Sequence, residues 1–270
     1  MTTPRRLAPR SLLFLPASNP RAVAKARTLA ADAVLLDLED AVADDVKAAA
    51  RAAAVAAVKE GFGPRLAAIR VNAVGHGEHD ADVAAVAAST ADLIVLPKVE
   101  RPEDAGAVAG ASGKPLLAMI ETPLGVLAAA EIAAQPGVVG LIVGTNDLRA
   151  TLRLPPSAPR ESLSHALQTI ILAARANGGW AFDGVYNRLD DAEGFGEEAR
   201  AGRNLGFDGK TLIHPSQVDP CNIAFGPTPE EIEEARALIA AFTGGAERFR
   251  DRMIEGMHVD QARAVLARGE

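Results

Sequence analysis

The chain has 270 residues, of which 49% are hydrophobic, and its formal net charge at pH 7 is −7. That length and apolar content are enough to bury a large core, so the composition excludes a disordered chain. The acidic balance, without any run of basic residues, opposes binding to a polyanion, and we predict no nucleic-acid partner.

Cys221 is the single cysteine of the chain. One cysteine excludes an intrachain disulfide and a cysteine-rich metal cluster, so we predict a protein of the reducing cytoplasm. The sequence also lacks an apolar stretch of about 20 residues, the length that a membrane-spanning helix needs, and we predict no membrane partner.

Short apolar runs rich in β-forming residues recur along the chain at intervals of roughly 20 to 35 residues, which is the spacing of successive strand and helix units in a parallel barrel. Eight of them are predicted as strands: Ser11 to Pro16, Ala33 to Glu39, Ala67 to Asn72, Leu93 to Lys98, Leu116 to Thr122, Gly140 to Thr145, Trp180 to Tyr186 and Lys210 to Pro215.

The stretches between these runs are rich in Ala, Glu and Arg and have helical periodicity, for example at 44–60, 81–89, 124–134 and 161–177. Alternating strands and helices predict an α/β fold in which helices cover a parallel sheet. Eight repeats favour closure into a (β/α)8 TIM barrel over an open doubly wound sheet.

The chain has no linker-like segment that divides it, so we predict one domain in two parts. Residues 1–225 form the barrel, and residues 226–270 form an additional C-terminal helical segment. Its last stretch, Arg248 to Arg268, exceeds what a barrel needs. It either folds back on its own barrel or contacts a neighbouring copy, and the sequence leaves both alternatives open.

Two carboxylates stand out at the ends of neighbouring strands. Glu121 follows the fifth apolar run, and Asp147 follows the sixth. Since parallel strands end on the same side of a barrel, these groups lie close together and repel each other unless a cation lies between them. Oxygen ligands suit a hard cation, so we predict a Mg²⁺ site, with Mn²⁺ as the alternative.

Arg70 ends the third run among apolar residues, while Asp37 and Glu39 share one face at the end of the second. A buried guanidinium needs an anionic partner, and its planar fork fits a carboxylate. The partner is either a substrate carboxylate or, in a purely structural ion pair, Asp37 or Glu39.

Other charged residues at strand ends have alternative interpretations. Lys98 either balances Glu121 or Asp40 as a permanent cation, which we favour, or forms a Schiff base in a metal-free aldolase. His214 is a candidate general base or a buried histidine that only bonds a neighbouring carbonyl. Lys210 begins the eighth strand, at the wrong end for chemistry, and is predicted to be a surface charge.

Several sequence blocks, in this order, resemble the citrate lyase β-subunit family, the CitE-like branch of the HpcH/HpaI aldolase superfamily. They are residues 10–17 (RSLLFLPA), 37–42 (DLEDAV), 70–72 (RVN), 97–98 (PK), 121–122 (ET), 144–148 (GTNDL) and 209–217 (GKTLIHPSQ). The resemblance extends from about residue 10 to the C-terminus and depends on the succession of blocks.

This resemblance implies a Mg²⁺-dependent carbon–carbon lyase that cleaves or forms a 3-hydroxyacyl-CoA, such as malyl-CoA or citramalyl-CoA. The products of cleavage are an acyl-CoA thioester and a 2-keto acid. In such an enzyme Glu121 and Asp147 match the metal ligands, Arg70 is the catalytic arginine that binds the substrate carboxylate, and Glu121 also faces the substrate.

The resemblance also implies supporting roles and an assembly. Arg10 is expected as a further anion contact near the mouth of the barrel, by which we mean the end where the strands terminate. Asp37, Glu39 and Lys98 are expected to orient Arg70 and water on the metal. The assembly implied is a homo-oligomer, a trimer or a hexamer.

One position departs from the family pattern. Relatives present an aspartate near the C-terminus, in a Met-Ile-Asp sequence, to the site of an adjacent subunit, whereas this chain has Glu255 there. The side chain is one methylene longer, which displaces a proton-transfer group. Glu255 is the catalytic candidate at this position. The alternatives are an aldolase for free 2-keto acids without CoA and a homologue that binds keto acids without turnover.

Overall fold

The computed structural model describes residues 7–269 and confirms the (β/α)8 barrel. Eight parallel strands form a closed sheet in which each strand pairs with its neighbours in sequence and β8 pairs with β1. The strands are β1 Ser11–Pro16, β2 Ala33–Asp37, β3 Leu66–Arg70, β4 Leu93–Leu96, β5 Leu116–Ile120, β6 Val138–Val143, β7 Trp180–Asp183 and β8 Gly209–Leu212.

Helices surround the barrel and continue beyond it. They are α1 Pro20–Ala26, α2 Lys47–Glu60, α3 His79–Ala87, α4 Pro102–Ser112, α5 Pro123–Leu127, α6 Ala129–Ala133, α7 Thr145–Thr151, α8 Ser164–Ala176, α9 Ala192–Leu205, α10 Val218–Phe225, α11 Pro229–Ala241 and α12 Gly256–Gly269. Within residues 7–269 every helix is too short or too polar to cross a bilayer.

Alternation along the strands decides which side chains enter the barrel. In β2, Leu35 belongs to the apolar cluster inside the barrel, whereas Val34 and Leu36 pack in the layer between strands and helices. The inner set also contains Ala68 of β3 and Met119 of β5. Asp37, Arg70 and Glu121 each come two residues after one of these inner residues. Because side chains alternate with a period of two, all three point to the inside of the barrel at its mouth.

The prediction for Lys210 is wrong. Its side chain points out of the barrel and is fully buried beneath helices. The ammonium lies 2.9 Å from Asp183 and 2.7 Å from Glu198, and Arg160 contacts the same two carboxylates at 2.6 and 3.1 Å. Two cations and two carboxylates balance one another, which makes the burial of these charges tolerable.

The C-terminal segment contains strands as well as helices, so its description as helical was incomplete. Two short antiparallel strands, β9 Glu247–Phe249 and β10 Arg252–Ile254, lie between α11 and α12. Leu238, Phe249 and Val259 belong to a separate small apolar cluster in this segment. The two-part division at residue 225 stays a prediction, and residues 1–6 and 270 lie outside the described part of the chain.

Candidate active site

A cavity of about 450 Å³ opens at the carboxyl-terminal end of the barrel, the end where barrels of this kind carry their chemistry. Both apolar and charged side chains line it. The apolar residues include Phe14, Met119, Val143, Val185 and Ile213, and the polar residues include Asp37, Asp40, Arg70, Glu121, Asn146 and Asp147.

Glu121 is held in place by backbone rather than by another side chain. It is 3% exposed, and its Oε1 accepts a hydrogen bond of 2.7 Å from the main-chain N–H of Lys98. Lys98 has a φ of 51°, the left-handed region that a lysine rarely adopts. On the other side, a Cβ at Gly144 would overlap the Glu121 carboxylate. Glycine at 144 therefore leaves the space that Glu121 occupies.

The environment of Glu121 disfavours its negative charge. Burial raises the pKa of this carboxyl, and the charge of Glu39 raises it further, while the N–H of Lys98 opposes the change. With a smaller contribution from Asp147, the pKa rises from its ordinary value of 4.5 to about 7. A carboxylate so destabilised gains from a cation bound beside it.

Asp147 lies in the first turn of α7 and is half-buried. It lines the same cavity as Glu121, and its Oδ2 is 3.9 Å from the ammonium of Lys98. Lys98 thus contacts both predicted metal ligands, one through its main chain and one through its side chain.

Arg70 is nearly buried, and carboxylates already surround it. Its Nε and Nη2 donate to the two oxygens of Asp37 at 2.7 and 2.6 Å, and its Nη1 lies 2.9 Å from Glu39. Burial lowers the pKa of the guanidinium, but the hydrogen bonds to Asp37 and the charges of Asp37, Glu39 and Glu121 together outweigh burial, so the net pKa is raised. The guanidinium also stacks 4.9 Å from the ring of Phe14. It is a fixed, permanent cation in the cavity wall.

Glu39 connects the two cations of the site. Its Oε1 accepts a 2.6 Å hydrogen bond from Lys98, while its buried Oε2 accepts none from residues 7–269 and has Arg70 as its neighbour. Burial raises the pKa of this carboxyl, and the nearby charges of Arg70 and Lys98 lower it in part. The structure therefore brings Asp37, Glu39 and Lys98 together around Arg70.

The geometry at Lys98 favours the permanent cation over the Schiff base. Burial lowers the pKa of its ammonium, but the hydrogen bond to Glu39 and the charges of Glu39 and Asp40 outweigh burial and raise it. A Schiff base forms from the neutral amine, which this environment suppresses.

The mouth carries more negative than positive charge. Arg70 and Lys98 are its cations, and they face the carboxylates of Asp37, Glu39, Asp40, Glu121 and Asp147. Among the described residues, no group of three or more His, Cys, Asp or Glu is arranged to hold a metal. A cation here would take two carboxylates from the chain and its remaining ligands from water and substrate, a mode that suits Mg²⁺.

The expectation that Arg10 lies near the mouth is wrong. Arg10 precedes β1 and so lies at the opposite end of the barrel, where its guanidinium pairs with Asp32 at 2.8 Å. It lines a different cavity, of about 520 Å³, together with Arg65 and Arg268. The sequence block that contains Arg10 matches the family, but the direction of the strand places this end away from the site.

Two further candidates do not line the mouth cavity of their own chain. His214 is exposed, and its Nδ1 lies 2.7 Å from Ser216 Oγ. Glu255 follows β10 in the C-terminal segment, where its N–H donates to His258.

A family model described as HpcH/HpaI aldolase/citrate lyase matches residues 10–215. The chain belongs to this family. The match confirms the resemblance inferred from the sequence blocks, and it covers every strand of the barrel.

Relatives within the HpcH/HpaI aldolase/citrate lyase family are similar over nearly the whole chain. A (3S)-malyl-CoA thioesterase of Cereibacter sphaeroides is 44% identical, over 97% of this chain and 94% of its own. A citrate lyase subunit beta-like protein of Mycobacterium tuberculosis is 38% identical, over 95% and 94%. The crystal structure of CitE from M. tuberculosis in complex with magnesium, acetoacetate and coenzyme A has a TM-score of 0.83 at 36% identity, over 99% and 100%.

Proposed function

We propose that this chain is a Mg²⁺-dependent carbon–carbon lyase that cleaves or forms a 3-hydroxyacyl-CoA of the malyl-CoA or citramalyl-CoA kind. The observation that carries the proposal is the pair Glu121 and Asp147 in one cavity wall with Arg70, in a mouth with excess negative charge. We also propose a cytoplasmic homo-oligomer, a trimer or a hexamer, in which Glu255 reaches the mouth of a neighbouring copy.

Glu121 and Asp147 would hold the ion. When bound, Mg²⁺ supplies a Lewis acid that stabilises negative charge on the substrate oxygen at the carbon that is cleaved. The raised pKa of Glu121 supports this assignment, because a carboxylate that is disfavoured alone is stabilised by a divalent cation. Relatives support it too, since M. tuberculosis CitE has been solved with magnesium and pyruvate and with magnesium and oxaloacetate.

Arg70 binds and orients the substrate carboxylate. Asp37 occupies one edge of the guanidinium, and Glu39 neutralises part of the remaining charge. The Arg70 guanidinium is therefore already oriented before the substrate binds, and less conformational entropy is lost on binding. The apolar wall around Phe14 and Met119 excludes water from the same space.

Cleavage of malyl-CoA yields acetyl-CoA and glyoxylate. The hydroxyl gives its proton to water and becomes the aldehyde oxygen of glyoxylate, while the C–C bond to the thioester arm breaks and its electron pair forms the thioester enolate. The enolate carbon then takes up a proton. Glu255 of a neighbouring copy is our candidate for the group that exchanges this proton with the enolate carbon, and its position outside its own mouth is the reason that the proposal includes an oligomer.

Thioester hydrolysis is the second candidate function, and the 44% identical (3S)-malyl-CoA thioesterase is the observation that favours it. A hydrolase would use the same cation site and Arg70 to hold the substrate but would transfer the acyl group to water. The products are then malate and free CoA, which differ from those of a lyase.

Incubation with (3S)-malyl-CoA and Mg²⁺ is expected to release glyoxylate and acetyl-CoA in equal amounts. Glyoxylate is measured as its phenylhydrazone, and free thiol is measured in parallel. Free thiol and malate without glyoxylate would establish the hydrolase instead. Cleavage only of CoA-free hydroxy-keto acids would identify an aldolase, and binding of pyruvate without any turnover would identify a non-catalytic homologue.

Without a metal, Glu121 is expected to make the folded state less stable as the pH rises. Its pKa in the folded chain is about 7, against 4.5 ordinarily, so folding favours the protonated form. This stabilisation, about 3 kcal/mol, is complete below pH 4.5 and is lost as the pH rises through 7. The melting temperature in EDTA should therefore fall between pH 5 and pH 8, more steeply than in Glu121→Gln.

Mg²⁺ should raise that melting temperature more at pH 8 than at pH 5, because at the lower pH the ion must displace a proton from Glu121. An equal Mg²⁺ effect at both pH values would contradict the assignment of Glu121 as a ligand.

A further inference from the structure

Lys47, the first residue of α2, is a buried lysine that has no role in the site as described so far. It is 4% exposed, and its ammonium donates to the main-chain oxygens of Leu38 and Glu39, each at 2.9 Å. The carboxylate nearest to it belongs to Asp44, at 3.9 Å, on a side chain that is 88% exposed. The ammonium is therefore satisfied by main-chain carbonyls and not by a buried acid.

This position is unfavourable for a lysine in two ways. Burial removes the ammonium from water without a buried counter-ion. The charge also lies at the start of a helix, where the helix dipole is positive. An apolar residue would avoid both costs, which indicates that the two hydrogen bonds serve something beyond the packing of α2.

The residues that Lys47 binds, Leu38 and Glu39, follow directly after β2, and Glu39 contacts the cations of the site. Beyond the end of β2, the N–H of Glu39 donates to Asp37 Oδ1 at 2.9 Å, and the N–H of Ala41 donates to Asp37 Oδ2 at 3.1 Å. Lys47 binds the same segment through the carbonyl of Glu39. The N–H of Glu39 is thus bound to a carboxylate, and its C=O accepts from the ammonium of Lys47 as well as from the N–H of Val42, at 3.1 Å.

Both carboxylates that pair with Arg70 belong to this segment. Asp37 and Glu39 contact the guanidinium, and Glu39 also accepts the hydrogen bond from Lys98 at 2.6 Å. A rotation of the Leu38–Glu39 peptide would turn the Glu39 carboxylate away from both cations. Lys47 stands behind this peptide, in the wall of a neighbouring cavity of about 350 Å³ that also includes Lys98 and His76.

We propose that Lys47 is a positioning residue of the active site, which fixes the carboxyl end of β2 so that Asp37 and Glu39 hold Arg70 and Lys98 in their working directions. The consequence for catalysis rests on the proposed function, whereas the effect on the Glu39 segment does not.

The test compares Lys47→Met, which removes charge and donors, with Lys47→Arg, which keeps both. Lys59→Met is the matched control, since Lys59 is exposed on the same helix. We expect Lys47→Met to lower kcat/KM for malyl-CoA at least tenfold and to weaken pyruvate binding in the presence of Mg²⁺ by a similar factor. Lys47→Arg should recover most of both losses, and the control should lose neither.

Hydrogen exchange at the amides of Glu39 and Ala41 needs no substrate, so it tests Lys47 even if no thioester is turned over. These amides should exchange at least tenfold faster in Lys47→Met than in the control. If Lys47→Met does not fold, Lys47→Gln takes its place in each comparison. Unchanged exchange overturns the proposal. So does a variant that melts at a lower temperature but keeps kcat, KM and pyruvate affinity within twofold, because that result describes a structural lysine only.

Discussion

Replacing Glu121 by glutamine is expected to lower kcat/KM about 10³-fold and to abolish measurable Mg²⁺ binding. Glutamine has the same shape and can still accept the hydrogen bond from the N–H of Lys98, so the change removes the charge alone. Charge stabilisation by a bound cation is worth several kcal/mol, and each 1.36 kcal/mol corresponds to a factor of ten in rate. Asp147→Asn should act in the same direction.

The measurements are Mg²⁺ titration by calorimetry and steady-state kinetics with malyl-CoA. Glu103→Gln is the matched control, because its side chain is 75% exposed. In EDTA at pH 8, Glu121→Gln should melt at a higher temperature than the unmodified chain, since it removes a carboxylate that burial destabilises. Mg²⁺ affinity that persists in the double variant Glu121→Gln with Asp147→Asn would overturn the site.

Replacing Arg70 by lysine is expected to lower kcat/KM about 10²-fold or more, mainly through weaker binding of the substrate carboxylate. Lysine keeps a positive charge beside Asp37 and Glu39, so the variant avoids two unpaired buried carboxylates. It cannot reproduce the planar guanidinium, which donates to both oxygens of Asp37 while its third nitrogen lies beside Glu39, so the cation offered to the substrate would be displaced.

Inhibition constants separate this role from a general loss of structure. Arg70→Lys should raise the inhibition constant of pyruvate, which carries the carboxylate, and leave that of acetyl-CoA unchanged. Arg101→Lys is the control, as that side chain is 67% exposed. If both inhibitors weaken equally in Arg70→Lys, then Arg70 does not act on the carboxylate.

The barrel and the centre of its mouth were predictable because they depend on local periodicity. Each predicted apolar run overlaps a strand, and the period of two places Asp37, Arg70 and Glu121 on the inner face. Chain direction alone also places Arg10, which precedes β1, at the far end. The sequence block that contains Arg10 matches the family, but a match of this kind does not tell at which end of the strand a residue lies.

Long-range burial was not predictable from the same patterns. Lys210 looks like a surface lysine in the sequence, yet it pairs inside the protein with Asp183, a residue 27 positions earlier in the chain. Lys47 is buried as well, although the carbonyls that it binds belong to the nearby residues Leu38 and Glu39. The excess negative charge at the mouth depends on the ends of several strands that meet in space. The Glu255 substitution is visible in the sequence, but its effect depends on an assembly that one chain does not contain.

Lys98 has a left-handed backbone, and its main-chain amide and its side-chain ammonium contact different parts of the site. Its amide faces the fifth strand and holds Glu121, while its ammonium faces the second strand and holds Glu39. Any amino acid except proline retains the amide, so the side chain at this position can change without loss of the hydrogen bond to Glu121. Position 98 is thus a place where one substitution can change the charge of the pocket.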